Sequence, residues 1–209
     1  ERLRALGDGI NIGISWRGGA NDRTRKARSI PLAYWKKLFS LSGVNIVNLQ
    51  YGPHEKEIQD FNQQANNPLH AFEDIDPLTD LDGFTALIAS LDLVISIDNS
   101  TVHFAGAVGT PVWVILPHTP DWRWMLERED SPWYPSAKLH RAEKMGFDGL
   151  KKQLNVIVKE LNDLLDGEDL SNSGLVSGSL STDMAEEKVP EDSSILTMRT
   201  GSDYALLVN

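Results

Sequence analysis

The sequence predicts an α/β domain built on a doubly wound, mainly parallel sheet. From residue 10 onward, short apolar segments of strand length alternate with amphipathic segments of helix length. The apolar segments are nearly continuous, as in strands that are buried on both faces, and turns rich in Gly and Pro separate them. Connections between parallel strands are nearly always right-handed crossovers, so the helices should cover both faces of one Rossmann-like sheet.

Six apolar segments are predicted to be strands because they are short and rich in Ile, Val and Leu. They lie at residues 10–16, 44–50, 69–72, 92–97, 112–116 and 139–141, the last as an edge strand. In such a sheet, ligands bind outside the carboxyl ends of the strands. The loops after Trp16, Gln50, Ile97 and Leu116 are therefore the places to look for a site.

The segments between the strands carry apolar residues at helical spacing. Helices are predicted at residues 31–41, 54–65, 82–91 and 101–108, and a long closing helix has its apolar face between residues 147 and 164. Pro31 suits the first turn of its helix because a missing N–H costs nothing there, and Ser29 is the expected cap.

Composition limits the class of protein. The 209 residues include no Cys, which excludes disulfides and thiolate sites. No apolar run approaches the roughly 20 residues of a membrane span. No signal peptide is recognisable, and the opening without Met favours a segment of a longer protein. These features predict a cytoplasmic protein.

The net charge of −10 is concentrated at one end of the chain. Residues 166–209 hold nine acidic and two basic residues and are rich in Ser, so they are predicted to form a disordered acidic tail. Residues 1–165 are close to neutral and are predicted to form the folded domain. The domain lacks the broad basic excess of a nucleic-acid-binding surface.

Five basic residues follow the first predicted strand, among them Arg17 and Arg28. Gly18 and Gly19 allow a ligand to approach the backbone, and guanidinium groups suit diphosphate oxygens. A helix start directly afterwards adds free N–H groups. This pattern indicates an anion site, and a solvated basic loop is the competing interpretation.

The segment after the fourth strand holds a second candidate site. Asp98 ends a buried strand, and Asn99, Ser100 and Thr101 open a helix whose N–H groups can receive phosphate. His103 lies one turn further on. The alternative is an ordinary capped helix start with a histidine in the core.

Two further strand ends give weaker signals. Gln50 ends a strand before a Gly-Pro turn, and Glu55 beside it can accept hydrogen bonds from a ligand. Residues 116–134 contain three Trp and one Tyr, for which packing is the favoured interpretation, and Asp121 and Arg123 are expected to pair with neighbours. Metalloprotease, serine-hydrolase, dinucleotide and P-loop motifs are absent from the sequence.

Several of these segments together match a known pattern. They are Arg28-Ser29-Ile30-Pro31, Leu49-Gln50-Tyr51-Gly52, Asp98-Asn99-Ser100-Thr101-Val102-His103, Gly109-Thr110-Pro111-Val112-Trp113, Gly13-Ile14-Ser15-Trp16-Arg17-Gly18 and Pro120-Asp121-Trp122-Arg123-Trp124. The pattern resembles the C-terminal domain of glycosyltransferase family 9, the heptosyltransferase group, over roughly residues 8–165. The last two segments are similar to a branch in which this domain follows tetratricopeptide repeats.

The resemblance implies the donor-binding half of a GT-B glycosyltransferase. Arg28 would hold the donor phosphates and stabilise charge on the leaving diphosphate, and Asp98 would contact the sugar. The nucleotide-sugar-binding residues are predicted to be Arg17, Arg28, Gln50, Glu55, Asp98, Asn99, Ser100, Thr101 and His103.

The resemblance also implies inverting transfer from a nucleoside-diphosphate sugar, with no metal and no cofactor. The acceptor domain and its catalytic base would lie outside this chain, and the acceptor would be a glycan, a lipid-linked molecule or a protein. Two alternatives are a non-catalytic binding module that keeps the fold and a sugar-nucleotide epimerase.

Overall fold

All six predicted strands are present in the structure, a computed structural model that describes residues 1–19 and 22–167. The strands are β1 (Ile10–Ser15), β2 (Val44–Asn48), β3 (Leu69–His70), β4 (Leu93–Ile97), β5 (Val112–Leu116) and β6 (Ala137–Arg141). They form one sheet in the order β3-β2-β1-β4-β5-β6, and every neighbouring pair is parallel. The prediction of a doubly wound parallel sheet is therefore confirmed.

In the ranges that the structure describes, six α-helices connect or follow the strands. They are α1 (Asp22–Ala27), α2 (Lys36–Phe39), α3 (Glu55–Asn62), α4 (Leu81–Ala89), α5 (Ser100–Ala107) and α6 (Phe147–Asp166). Short 3-10 turns lie at Arg4–Leu6, Leu32–Trp35 and Trp122–Trp124. Among the described residues, no helix is both long and apolar enough to cross a membrane.

The helices divide the core into two clusters, one on each face of the sheet. Successive side chains of a strand point to opposite faces, so alternate residues of β4 and β5 serve different clusters. Ile95 and Ile115 pack with the side of the sheet that α2, α3 and α6 cover. Val94 and Val114 pack with the side that α4 and α5 cover. The continuous apolar strands in the sequence reflect this double burial.

The segment after β1 differs from its prediction. A short helix, α1, interrupts the predicted basic loop. The helix predicted at 31–41 is a 3-10 turn followed by the four-residue α2. Its first N–H, on Leu32, is capped from α3 by Glu57 Oε1 at 3.2 Å. Ser29 is not the cap, because its hydroxyl instead bonds Gly18 across the loop.

The other element boundaries differ from prediction by only a few residues. The strand predicted at 69–72 is only two residues long in the structure, and the helix predicted at 54–65 ends at Asn62. The acidic tail was predicted at 166–209, but Asp166 still belongs to α6, and residues 168–209 lie outside the described residues.

The strand order fixes where a ligand site can form. The chain winds outward from β1 to β2 and β3, then returns to place β4 on the other side of β1. The connections on the two sides of this reversal diverge and leave a crevice at the carboxyl ends of β1 and β4. The loops that follow Ser15 and Ile97 therefore border a common space.

A buried histidine lies at the edge of the sheet, away from this crevice. His140 is on β6 opposite Ile115, and its ring centroid lies 5.6 Å from that of Trp113. Its Nε2 has no hydrogen-bond partner in the described part of the chain and lies 4.0 Å from Glu160 Oε2. Desolvation lowers the pKa of His140 to about 4, although the charge of Glu160 acts in the opposite direction.

This burial predicts a pH-dependent loss of stability. Unfolding returns His140 to a pKa near 6.5, so the unfolded chain takes up a proton more readily than the folded chain below that pH. The contribution of the neutral ring to the free energy of unfolding is complete above pH 6.5 and is lost as the pH falls from 6.5 to about 4. Between pH 7 and pH 4.5 the native protein should lose about 2 kcal/mol more unfolding free energy than His140→Gln. Urea unfolding at both pH values tests this, and parallel losses in the two proteins would contradict it.

Candidate functional site

The loops that border the crevice are joined by Gln50, which is 2% exposed. Its Oε1 accepts hydrogen bonds from the backbone N–H of Trp16 at 3.0 Å and of Arg17 at 2.7 Å, and from the Ser15 hydroxyl. Its Nε2 donates to the carbonyls of Arg17 and Tyr51. Gln50 therefore fixes the end of β1 to the end of β2, and its polar atoms are occupied by protein groups.

Asn99 makes the matching connection from β4. Its Oδ1 caps α5 by accepting from the Thr101 N–H at 3.0 Å. Its Nδ2 donates to Ser15 Oγ at 2.7 Å and to the Arg17 carbonyl at 3.0 Å. Gly18 completes this junction, because a Cβ there would lie 2.8 Å from Ile97 Cδ1. The side chains of Gln50 and Asn99 thus hold the backbone of Arg17 in place at the strand ends that border the crevice.

Asp98 lies on the crevice side of the same junction and is 5% exposed. Its Oδ1 accepts from Trp124 Nε1 at 2.8 Å. Its Oδ2 forms an ion pair with Arg28 Nη1 at 3.2 Å and accepts no hydrogen bond from the described residues. A buried carboxylate oxygen without a donor is uncommon in folded proteins.

His103 is half-buried and holds a defined tautomer. Arg123 Nη1 lies 3.0 Å from its Nε2, and a guanidinium group can only donate. Nε2 must therefore accept, so Nδ1 carries the proton and donates to the Tyr134 hydroxyl at 2.9 Å. Desolvation lowers the pKa of His103, and the charge of Arg123 lowers it further against the opposing charges of Asp98 and Asp121. The imidazole is neutral near pH 7.

Arg123 contacts both His103 and Asp121. Its Nε donates to Asp121 Oδ1 at 3.0 Å, as expected from the sequence, but its contact with His103 was not predicted. Desolvation raises the pKa of Asp121, yet hydrogen bonds and charge from Arg123 and the charge of Arg28 lower it overall. Arg28, Asp121 and Arg123 therefore belong to one electrostatic group around Asp98.

The loop after β5 supplies residues that the sequence did not assign to the site. Trp124 is fully buried and stacks on His103 with 5.6 Å between ring centroids, so the packing prediction holds for this residue. Trp122 and Trp133 are instead 75% and 53% exposed. Tyr134 covers Gly106, where a Cβ would lie 2.3 Å from the ring. The position of these aromatic residues after a predicted parallel strand was the feature of the sequence that could have assigned them to the site.

Arg141 holds this loop from the end of β6. Its guanidinium donates to the carbonyls of Trp124, Met125 and Arg128. Met125 adopts a left-handed backbone with φ 53°. Because that conformation is unfavourable for a side chain other than Gly, these three hydrogen bonds stabilise the turn that places Trp124 beside Asp98.

The remaining predicted residues lie around the crevice. Arg17 donates to the Pro53 carbonyl at 2.7 Å and lies 3.6 Å from Glu57 Oε2, so its side chain extends towards the loop after β2. Ser100 is exposed at the first position of α5. Glu55 opens α3, and backbone N–H groups lower the pKa of its carboxylate. The structure thus places the predicted residues at neighbouring strand ends.

A cavity of about 990 Å³ lies beyond the ends of β2 and β3. Gln50, Tyr51 and Glu55 line one side of it, and Phe72 and Ile75 line another. Asp98 is not part of its wall, so the cavity and the Asp98 crevice are successive parts of the same edge of the sheet. Within the described residues, no group of three or more His, Asp or Glu side chains is placed to hold a metal ion.

The strand order and the helices on both faces of the sheet define a Rossmann-like domain of the GT-B kind. Residues 21–151 match the model of glycosyltransferase family 9 (heptosyltransferase), and the chain belongs to this family.

The solved structures that resemble the chain share its fold at low sequence identity. Escherichia coli heptosyltransferase WaaC with ADP is 14% identical with a TM-score of 0.51, and the match covers 78% of this chain and 46% of WaaC. The family 9 glycosyl transferase of Veillonella parvula DSM 2008 is 18% identical with a TM-score of 0.52, covering 79% of this chain and 49% of that protein.

A curated relative is more similar in sequence. Protein FlbA of Caulobacter vibrioides is 37% identical over 145 residues, which are 69% of this chain and 24% of FlbA. The chain therefore spans about a quarter of the length of FlbA and about half of the two solved structures.

The junction predicts a large effect of removing Gln50. Gln50→Ala leaves the N–H groups of Trp16 and Arg17 without their acceptor in a buried loop. The free energy of unfolding should fall by roughly 3 kcal/mol, measured by urea denaturation. Gln59→Ala, at an exposed position of α3, is the matched control and should change stability by less than about 0.5 kcal/mol. Equal effects of the two substitutions would show that the junction does not stabilise the fold.

Proposed function

We propose that this chain is the donor-binding half of an inverting glycosyltransferase that uses a nucleoside-diphosphate sugar. The observation that carries the proposal is the buried Asp98 Oδ2 beside the crevice, which pairs with Arg28 but accepts no hydrogen bond from the described residues. A sugar hydroxyl would supply that hydrogen bond. Membership of glycosyltransferase family 9 supports this chemistry over other polar ligands.

Asp98 is suited to hold a sugar in a fixed orientation. Trp124 Nε1 donates to Oδ1, whereas Oδ2 has only the ion pair with Arg28, so a sugar hydroxyl would bind at Oδ2. Trp124 is itself fixed, since its ring stacks on His103 and Arg141 binds its carbonyl. A carboxylate that is already oriented loses little side-chain entropy on binding, and this favours a precise sugar position.

The diphosphate is proposed to bind where Arg28 meets the first turn of α5. Arg28 is 31% exposed, so its guanidinium can reach a ligand while Nη1 stays near Asp98. The Ser100 hydroxyl and the N–H groups at the start of α5 add donors, and the helix dipole favours negative charge. As the bond to the sugar breaks, Arg28 would stabilise the charge that develops on the leaving diphosphate.

The nucleoside is proposed to occupy the cavity at the ends of β2 and β3. Glu55 lines that cavity with an exposed carboxylate that can accept ribose hydroxyls. Gln50 and Asn99 act indirectly, since their amide groups bind the protein backbone. His103 likewise shapes the site through Arg123 and Tyr134.

The acceptor domain and the base that deprotonates the acceptor are proposed to lie outside these residues. The relatives are about one and a half to three times as long as this chain, which leaves room for such a domain. A preceding tetratricopeptide domain, a cytoplasmic location and a glycan, lipid-linked or protein acceptor form part of the same proposal. Arginine and helix N–H groups provide the charge stabilisation, so neither a metal nor a cofactor is required.

Arg28→Gln tests the phosphate contact. Loss of a charge-assisted contact should weaken binding of the preferred nucleoside diphosphate at least about tenfold. Isothermal titration of ADP, GDP, UDP and CDP in the presence of EDTA measures this and excludes a metal requirement. Arg4→Gln removes an exposed charge far from the crevice and should leave the affinity unchanged. Unchanged binding by Arg28→Gln, or no nucleotide binding by the native protein, would refute the proposal.

Asp98→Asn tests the sugar contact separately. The substitution keeps the size of the side chain but replaces one acceptor oxygen by an NH₂ group. Affinity for the nucleotide sugar should fall about tenfold, whereas affinity for the matching nucleoside diphosphate should change less than about threefold. The ratio of the two dissociation constants is the informative quantity, and an equal loss for both ligands would place Asp98 outside the sugar contact.

A further inference from the structure

We propose that Arg123 is a second diphosphate-binding arginine that contacts the distal, sugar-bearing phosphate of the donor. This inference rests on the proposed function and adds a contact from the loop after β5. From the sequence, Arg123 was expected only to pair with a neighbouring residue.

The strand order places Arg28 and Arg123 on opposite sides of Asp98. Arg28 follows β1 and Arg123 follows β5, and these two strands are the immediate neighbours of β4. Asp98 is the residue directly after β4. The two arginines therefore approach the start of α5 from its two sides.

Arg123 is placed at the first turn of α5 by a direct contact. Its Nη1 lies 3.0 Å from His103 Nε2, and His103 is the fourth residue of that helix. The positive end of the helix dipole and a guanidinium group thus occupy the same region. These are two independent sources of attraction for an anion, and Asp98, whose buried Oδ2 pairs with Arg28 but accepts no hydrogen bond from the described residues, lies at the same strand end.

The guanidinium retains one nitrogen for a ligand. Asp121 accepts from Nε and His103 accepts from Nη1, while Nη2 makes no hydrogen bond to the residues that the structure describes. The side chain is 38% exposed, so a ligand can reach it. Both contacts fix the plane of the guanidinium, because His103 is itself held by Tyr134 and the Arg123 carbonyl accepts from Trp133 Nε1.

The order of features along the edge of the sheet selects the distal phosphate. The cavity lies at β2 and β3, Arg28 follows β1, Asp98 follows β4, and Arg123 follows β5. A nucleoside in the cavity directs its phosphates towards β4 and β5. The second phosphate is therefore nearer to Arg123 than the first, and a ligand that lacks it gains little from this side chain.

The test compares diphosphates with monophosphates of the same nucleoside. Native protein and Arg123→Gln are titrated by calorimetry with ADP, GDP, UDP and CDP, and with AMP, GMP, UMP and CMP. For the preferred nucleoside, Arg123→Gln should weaken diphosphate binding at least about tenfold and monophosphate binding less than about threefold. Arg123→Lys keeps the charge without the planar donor group and should give an intermediate loss for the diphosphate.

Arg128→Gln is the matched control from the same loop. Its side chain pairs with Asp130 and makes no contact with Asp98 or His103, so it should bind both ligand classes as the native protein does. Native affinity of Arg123→Gln for the diphosphate, or an equal loss for both ligand classes, would overturn this inference while leaving the donor site in place. Absence of diphosphate binding by the native protein would overturn the proposed function and the inference with it. If Arg123→Gln does not fold, the diphosphate-to-monophosphate ratio of Arg123→Lys decides the outcome.

Discussion

Two buried amide side chains hold together the strand ends on which the candidate site depends. Gln50 joins the end of β2 to the backbone after β1, and Asn99 joins the end of β4 to the same backbone. Each amide has both donors and acceptors, so each can satisfy N–H and carbonyl groups of a loop at once. Backbone groups buried in a loop must find such partners, and here they find them in side chains from neighbouring strands. The crevice keeps its shape because these loops cannot separate without exposing unpaired groups.

Three residues on the β5 side of β4 support the carboxylate of Asp98: Trp124, Arg123 and Arg141. Trp124 connects Asp98 to the loop after β5, and Arg123 connects the same loop to His103 on α5. Arg141 then fixes the loop through its carbonyl oxygens. The carboxylate that faces the crevice is thus oriented through a chain of contacts that ends at the edge strand. Such preorganisation matters in a site that acts by positioning and charge, since groups that are already ordered need no rearrangement when the ligand binds.

Charge in the crevice is balanced in the absence of a ligand. Arg28 lies beside Asp98, and Arg123 lies beside Asp121, while His103 is neutral. An entering diphosphate would therefore compete with carboxylates for the arginines, and a sugar hydroxyl would then satisfy the carboxylate oxygen that is left. Under the proposed function, this arrangement would couple recognition of the phosphates to recognition of the sugar. It would also favour a complete donor over free nucleotide or free sugar, because each part of the donor would offset what the other part disturbs.

The sequence alone determined the fold class, the number of strands and the strand ends at which to search, because hydrophobic periodicity and turn residues are local signals. It also drew attention to Arg28 and Asp98, through their position after buried strands and through a family resemblance. It did not determine that the side chains of Gln50 and Asn99 bind the backbone. Nor did it determine that Glu57, and not Ser29, caps the helix start at Leu32, or that Arg123 contacts His103. These contacts join residues that are 20 to 84 positions apart in the sequence. Only the packing of the strands brings them together, so the tertiary structure decided which polar residues support the candidate site and which of their atoms are already hydrogen-bonded to the protein.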